Sequence, residues 1–432
     1  MQYNKASRIE DALHASDGDQ VTLHGWVSSQ SRIGGLFFVI LRDGTGYLQL
    51  AARKGVTSND AIEAISRVTI ESAVSVFGSV TDDSRAPGGK EIQVLDFNIV
   101  SLAEKWPITK SAVKSTSYLY DNRHLSIRGK KSIAIMRIRA SMIRESFNFF
   151  INHGYTLITA PTLVQSGCEG GSTLFKLEYF GQEAYLTQSA QLYEEAAICS
   201  FEKVFVIQPA FRAEKSKTTK HLTEFWMIEA EQAFAGQDEN LSVQEEYLSH
   251  ILGKIVDLNY KELETLGRKF SIIDPPYPRI SYDEIWNRAS KKGIGFEWGA
   301  DIPSNVEKMI SVDAEAPVFI TDYPALSRGF YHKTKDDNDK LTLSADLIAT
   351  EGYGEIATGG QREDNYDALI QRIQNQELPV ESFQWYLDLR RYGLPPHSGF
   401  GIGVERVVRW ICGLKNIRSA SLFPRTMTRI TP

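Results

Sequence analysis

The segment from Val204 to Phe234, VFVIQPAFRAEKSKTTKHLTEFWMIEAEQAF, limits the fold more than any other stretch of the chain. It predicts two strands joined by a charged loop. Arg212 and Glu214 close the first strand, and Lys215, Lys217, Lys220 and His221 crowd the loop and its exit. Successive strand residues point to opposite faces. On the second strand Phe225, Met227, Glu229 and Glu231 therefore share one face, and Trp226, Ile228 and Ala230 the other. Such a loop is tolerated on a surface hairpin, but acids opposite large apolar side chains need a cleft to point into. An arginine at a strand end, facing cations and an aromatic ring, suits a bound nucleoside triphosphate. Its guanidinium forks onto phosphate oxygens while the ring stacks on a base.

Near the C-terminus, HSGFGIGVERVVRWICGL carries a second pattern. Gly399, Gly401 and Gly403 alternate in a predicted strand, which costs stability and calls for close backbone approach by a flat ligand. Val404, Val407, Val408, Ile411 and Leu414 follow at helical spacing. Arg406 falls in the first helical turn, where the helix dipole disfavours a cation. A polyphosphate at that terminus reverses the sign; a plain surface arginine would tolerate a penalty of about 0.3–1 kcal/mol.

Asp346 and Glu355 lie among apolar residues in SADLIATEGYGEI, on two predicted strands. A buried acid costs several kcal/mol unless paired or metal-bound. The pair would either hold Mg²⁺, which takes hard oxygen ligands, or form salt bridges with Arg362 or Arg406. A third group comprises GCEGGST, QSAQLYEE and GGQRE. Glu169 and Gln191 could accept from a substrate ammonium, and Arg362 could donate two parallel hydrogen bonds to a side-chain carbonyl or carboxylate.

FRAE followed by KHLTEFWMIEAE resembles the second signature motif of class II aminoacyl-tRNA synthetases, closest to the subclass that charges aspartate and asparagine. GFGIGVERVVRWICGL resembles the third motif of that family, and GYTLITAPTLVQS, with Pro161, the first. The resemblance spans nearly the whole chain. It implies ATP and Mg²⁺ as cofactors, tRNA and an amino acid as partners, and a homodimer built on the first motif. ATP would be bound by Arg212, Glu214, His221, Phe225, Glu355, Gly403 and Arg406, with Arg212 and Arg406 catalytic. Asp346 and Glu355 would hold the metal. Glu169 and Gln191 would take the α-amino end, and Arg362 the amino-acid side chain.

Aspartate enzymes of the family carry a lysine three residues after the glutamine, where this chain has Glu194. A glutamate repels a carboxylate and accepts from an amide NH₂, which points to asparagine. FEWG, TDYPALSRGFYHK, WYLDLRRYG and GLKNIR also look more like asparagine enzymes. Thr358 in EIATGGQR replaces the glycine usual in asparagine enzymes and keeps aspartate open, including a non-discriminating enzyme. A paralogue that transfers the aminoacyl group to an acceptor other than tRNA is the further alternative.

Composition sets outer bounds. The 432 residues suggest two or three domains. No apolar run is long enough to cross a bilayer, and the N-terminus has no signal core, so a cytoplasmic location without membrane contact is expected. Cys168, Cys199 and Cys412 form no CxxC pair. The net charge of −6 argues against general basic coating and allows local basic clefts.

Five short β segments between residues 20 and 102, VTLHGWV, LFFVILRD, GYLQLAA, SAVSVFGSV and EIQVLDFNIV, predict a small barrel. An OB-fold is the common solution, and the resemblance implies an anticodon reader there. Phe38 would stack on an unpaired base and Gln49 would read its edge. Phe37 and Phe38 alternate, so one faces out unless both are core. VSSQSR at the first strand exit lacks the basic residues relatives often carry, which weakens tRNA docking. The expected fold is α+β: an N-terminal OB-fold β-barrel plus a class II synthetase catalytic domain with an antiparallel sheet flanked by helices. Expected limits are 1–102 for the anticodon-binding domain, 103–130 for a linker and 131–432 for the catalytic domain, with an insertion over about 236–300.

Overall fold

The five alternating segments pair with one another as expected. The computed structural model describes residues 6–167, 173–215 and 218–432, and contacts divide the chain into two compact units, Met1–Leu119 and Tyr120–Pro432. In the first unit α1 (Ile9–His14) precedes β1 (Gln20–Ile33), β2 (Leu36–Arg42) and β3 (Tyr47–Arg53). Then α2 (Asn59–Arg67) leads to β4 (Ala73–Asp82) and β5 (Lys90–Ser101). The strands close a barrel in the order β1-β2-β3-β5-β4, in which β3 and β5 run parallel. Val21, Leu23, Leu41, Leu48, Leu50, Val76 and Val94 fill its interior. Each such side chain contributes roughly 1.5–3 kcal/mol by burial. Phe37 belongs to this core and Phe38 does not, as alternation requires.

Two features of this unit go beyond the five-strand pattern. In α2, capped by Ser58, Ala61, Ala64 and Ile65 join the barrel core. Asp43 ties the β2–β3 turn to α1: its carboxylate accepts from the N–H groups of Ile9, Thr45 and Gly46 at 2.8, 2.7 and 2.9 Å.

The segment expected as a linker contains α3 (Thr116–Asp121) and α4 (Arg123–Ser126). Arg123 is buried, and its guanidinium donates to the carbonyls of Ser421 and Leu422 at 3.1 and 2.8 Å. Those bonds tie residues after 120 to the second unit. The long helix α5 (Lys130–Asn152) ends where Gly154 adopts a φ of +80°. Beyond Gly154 the chain forms the short strand β6 (Thr156–Leu157). Next come a small sheet of β7 (Leu163–Val164), β8 (Lys176–Tyr179) and β9 (Gln182–Leu186), then α6 (Gln191–Phe201), β10 (Lys203–Phe211) and β11 (Glu224–Ala233).

In the region of the expected insertion lie α7 (Gln237–Leu258), α8 (Tyr260–Leu266), β12 (Arg279–Ser281), α9 (Tyr282–Lys291) and, just beyond it, α10 (Ser304–Ser311). The chain continues through β13 (Val318–Thr321), β14 (Thr334–Lys335), β15 (Asn338–Thr342), β16 (Ser344–Ala349) and β17 (Gly354–Gln361). It closes with α11 (Tyr366–Asn375), α12 (Gln384–Arg391), β18 (His397–Gly403) and α13 (Val404–Ile411).

Eight strands form one sheet in the order β12-β13-β16-β17-β18-β11-β10-β6, antiparallel from β13 through to β10. Ile228 and Ala230 on β11, with Phe400 and Ile402 on β18, pack against Ile138 and Phe150 of α5, Tyr247 and Leu248 of α7, and Val407 and Trp410 of α13. One face of β11 is therefore core, which leaves Phe225, Met227 and Glu229 on the other. Among the described residues no helix is long and apolar enough to cross a membrane.

Candidate active site

The free face of the sheet carries a cavity of about 600 Å³, lined by β11, β16, β17, β18 and the loops around them. Its position follows from the alternation in β11: Phe225, Met227 and Glu229 line it, while the intervening residues are core. Arg212 extends the hairpin one residue past β10, with its N–H donating to the Thr223 carbonyl at 3.0 Å. Its guanidinium carbon lies 5.7 Å from the Phe225 ring centroid. His221 Nδ1 is 2.7 Å from Thr218 Oγ1 and 3.9 Å from Glu214 Oε1. Burial pushes the His221 imidazole below its ordinary pKa, against the pull of Glu214. Lys220 reaches Glu307 on α10 at 2.6 Å.

Arg406 lies in the first turn of α13, and its Nη1 donates to Glu355 Oε1 at 2.5 Å and to the Glu355 carbonyl at 3.2 Å. Burial acts to raise the Glu355 carboxyl, but Arg406, Arg328 and Arg212 outweigh it and hold the group below its ordinary value. Asp346 pairs with Arg328 at 2.7 Å rather than with Arg362. Burial leaves its carboxyl raised despite that partner. Thr358 Oγ1 is 2.8 Å from Asp346 Oδ1 and 3.2 Å from Glu355 Oε1, so both acids converge on one hydroxyl. The departure at Thr358 thus places a single hydroxyl donor between the two acids, able to serve one of them at a time.

The donor set fits a hard divalent cation. Two carboxylates face one point of the cavity, and Glu355 acts on Asp346 through its like charge, a repulsion that a cation relieves. Among the described residues no group of three or more His, Cys, Asp or Glu could hold a metal alone. Further oxygens would come from phosphate and water.

Arg362, which also lines the cavity, is buried and gives its Nε and Nη2 to Glu231, at 3.0 and 2.9 Å. Its remaining edge, Nη1 and the second Nη2 hydrogen, is what a ligand can use. The two parallel bonds expected from Arg362 to a substrate are therefore limited to that edge. Glu194 is 1% exposed, and among the described residues its Oε1 has no hydrogen-bond partner. Burial, then Glu229 and Glu231, push its carboxyl well above the ordinary value. Gln191 opens α6 and donates through Nε2 to Glu195 at 3.0 Å. Glu229 accepts from the Ser189 hydroxyl and, at 3.0 Å, from the Ala190 N–H.

The cavity thus gathers Arg212, Glu214, His221, Phe225, Asp346, Glu355, Gly403 and Arg406 with Gln191, Glu194 and Arg362. Glu169 lies outside the described residues. Gly401 and Gly403 line the cavity, but Gly399 does not. A Cβ at Gly399 would run into Glu231 and the Ala230 carbonyl of β11, so strand packing rather than ligand approach requires that glycine. Phe38 and Gln49 line a separate hollow of about 240 Å³ on the barrel with Ser29, Gln30 and Ser31. Gln49 Nε2 donates to Glu91 at 2.8 Å.

Sequence reading assigned no role to Arg328, His332, Glu307 or the Arg362 partner Glu231. Glu231 carried a signal in the alternation of β11. The other three sit in loops and on α10, where no periodic pattern marks a lining residue.

Residues 115–427 match the family model of class II tRNA synthetases (D, K and N), and residues 21–100 match the OB-fold nucleic acid binding domain. The chain belongs to the class II tRNA synthetase family. An asparagine–tRNA ligase from Pyrococcus abyssi is 43% identical over 427 residues, covering 98% of both chains. One from Pelotomaculum thermopropionicum is 43% identical over 418 residues, covering 96% of this chain and 97% of the relative. The crystal structure of asparaginyl-tRNA synthetase from Pyrococcus horikoshii complexed with asparaginyl-adenylate superposes with a TM-score of 0.95 at 41% identity, covering 99% of each chain. For aspartyl tRNA synthetase from Entamoeba histolytica the values are 0.86 and 26%, covering 100% of this chain and 94% of the other. This synthetase combines the OB-fold barrel and the class II catalytic fold that its motifs imply.

Proposed function

We propose that this synthetase is a ligase that activates asparagine with ATP to asparaginyl-adenylate and transfers the asparaginyl group to tRNA. One observation carries the choice of amino acid. Among the described residues, the edge of Arg362 turned from Glu231 and the Oε1 of Glu194 have no partner; both groups line the same cavity, and their charges interact. A donor edge and an acceptor oxygen match the C=O and NH₂ of a carboxamide. A site that leaves buried polar groups unpaired against the wrong ligand discriminates strongly.

The substrate carboxylate is already an anion, so the first step needs no general base. Its oxygen attacks the α-phosphorus in line and pyrophosphate leaves. The protein contributes positioning and charge neutralisation. Arg212 neutralises the α-phosphate, His221 and Arg406 take the outer phosphates, and Phe225 stacks on adenine. Asp346 and Glu355 would hold Mg²⁺, which supplies positive charge to the phosphate oxygens when bound. In the second step the terminal ribose hydroxyl of tRNA attacks the activated carbonyl and AMP leaves. On the barrel, Phe38 and Gln49 read the anticodon. The reading includes a homodimer, the assembly the first motif makes in this family, and a cytoplasmic setting.

Charging of total tRNA with labelled asparagine tests it. Acid-precipitable asparagine is expected. Adenylate formation without charging of any tRNA would favour transfer to another acceptor, and charging with aspartate alone would reverse the choice of amino acid.

A further inference from the structure

The Glu195 carboxylate is fully buried beside Glu194 and takes no part in the chemistry above. Its Oε2 accepts from the Tyr386 hydroxyl at 2.6 Å, Arg390 Nη2 at 2.8 Å and His397 Nε2 at 2.9 Å. Its Oε1 accepts from Gln191 Nε2 at 3.0 Å. Burial acts to raise this carboxyl, but Arg390 and His397 outweigh it and hold the group well below the ordinary range. It is therefore an acceptor only. A carboxamide facing such an oxygen must present its NH₂ end, because two opposed buried acceptors repel each other and leave both unsatisfied. Gln191 also lines the cavity, so the end left for a ligand is its carbonyl oxygen.

We propose that Glu195 is a positioning residue that locks the Gln191 carboxamide with its carbonyl toward the α-ammonium of the bound amino acid. The lock makes the site demand an ammonium. With a neutral partner at 195, Gln191 can turn about its Cγ–Cδ bond and offer NH₂ instead, which repels an ammonium and suits ligands that lack one. The inference rests on the reading of Gln191 as the ammonium acceptor.

The test compares the full-length enzyme with E195Q in asparagine-dependent ATP–pyrophosphate exchange. Succinamic acid, which is asparagine without its α-amino group, serves as the competing inhibitor. The ratio of the succinamate Ki to the asparagine KM should fall about tenfold or more in E195Q, the worth of a hydrogen bond to a charged group. The change should lie in KM, with kcat altered far less. E195Q strands the buried Arg390, which destabilises the fold, so E195Q/R390M, which removes both charges, is measured beside it and should show the same fall. In a Q191M background, adding E195Q should change the ratio no further. An unchanged ratio in either folded variant overturns the proposal, as does an equal fall in the Q191M background. Failure of the underlying reading is seen separately, as an unchanged ratio in Q191M alone.

Discussion

Arg406 Nη1 lies 2.5 Å from Glu355 Oε1, so the cation proposed for the outer phosphates and an acid proposed for the metal are each other's partners. The pair keeps the guanidinium at the start of α13, a position its dipole disfavours. When triphosphate enters, its oxygens can take over Arg406 while the carboxylate turns to a cation.

R406A should lower kcat/KM for ATP in the exchange reaction by about 10²–10³, the cost of removing a transition-state charge contact. E355Q should also be impaired. Because the two side chains share one interaction, the double variant should lose less than the sum of the two, with a coupling of about 0.5–3 kcal/mol. Exchange rates at varied ATP measure this; strict additivity would show that the pair does not act together.

Glu194 gives the amino-acid choice a pH dependence. Burial, then Glu229 and Glu231, raise its carboxyl well above 4.5, so it keeps its proton over a range where an ordinary glutamate is ionised. The protonated form carries no charge to repel aspartate. The preference for asparagine over aspartate should therefore rise with pH as Glu194 ionises and shrink as pH falls. E194Q should flatten that dependence. Exchange assays with both amino acids across pH 5–9 provide the measurement, and an identical pH profile in E194Q would remove Glu194 from the discrimination.

The barrel, both signature strands of the catalytic sheet and the cavity face of β11 could be read from the sequence because alternation sets them. Phe225 and Glu229 had to face away from Ile228 and Ala230, and they do. Pairings between distant loops carry no such period. Nothing in the spacing of Asp346 and Arg328 announces their ion pair, and Arg362 meets Glu231 across 131 residues. The reason for Gly399 was misread for the same cause: the backbone it approaches belongs to β11, far away in sequence.

Asp43 should stabilise the barrel unit in a pH-dependent way. Burial acts to raise its carboxyl, but hydrogen bonds from Ile9, Thr45 and Gly46 outweigh it and lower the folded value below 3.8. A lowered folded pKa gives stability that is complete above the unfolded value and is lost as pH falls through the folded one. D43N should cost about 1–2 kcal/mol at neutral pH. The loss should shrink as pH falls below 3.8 and through the lowered folded value, where the native side chain also protonates. Amide hydrogen exchange at Leu41 and Leu48 in the full chain reports it.

F38A should separate the two units by function. Loss of one base-stacking contact is worth about 1–3 kcal/mol, so KM for tRNA in charging should rise several-fold or more. Exchange, which needs no tRNA, should stay at its original rate. Equal damage to both reactions would show that Phe38 acts on the fold.

The most direct measurement is amino-acid-dependent ATP–pyrophosphate exchange with purified enzyme, run with asparagine and with aspartate at neutral pH. Strong exchange with asparagine and little with aspartate is the predicted result. Strong exchange with aspartate and none with asparagine would contradict the assignment of Glu194 and Arg362 to a carboxamide.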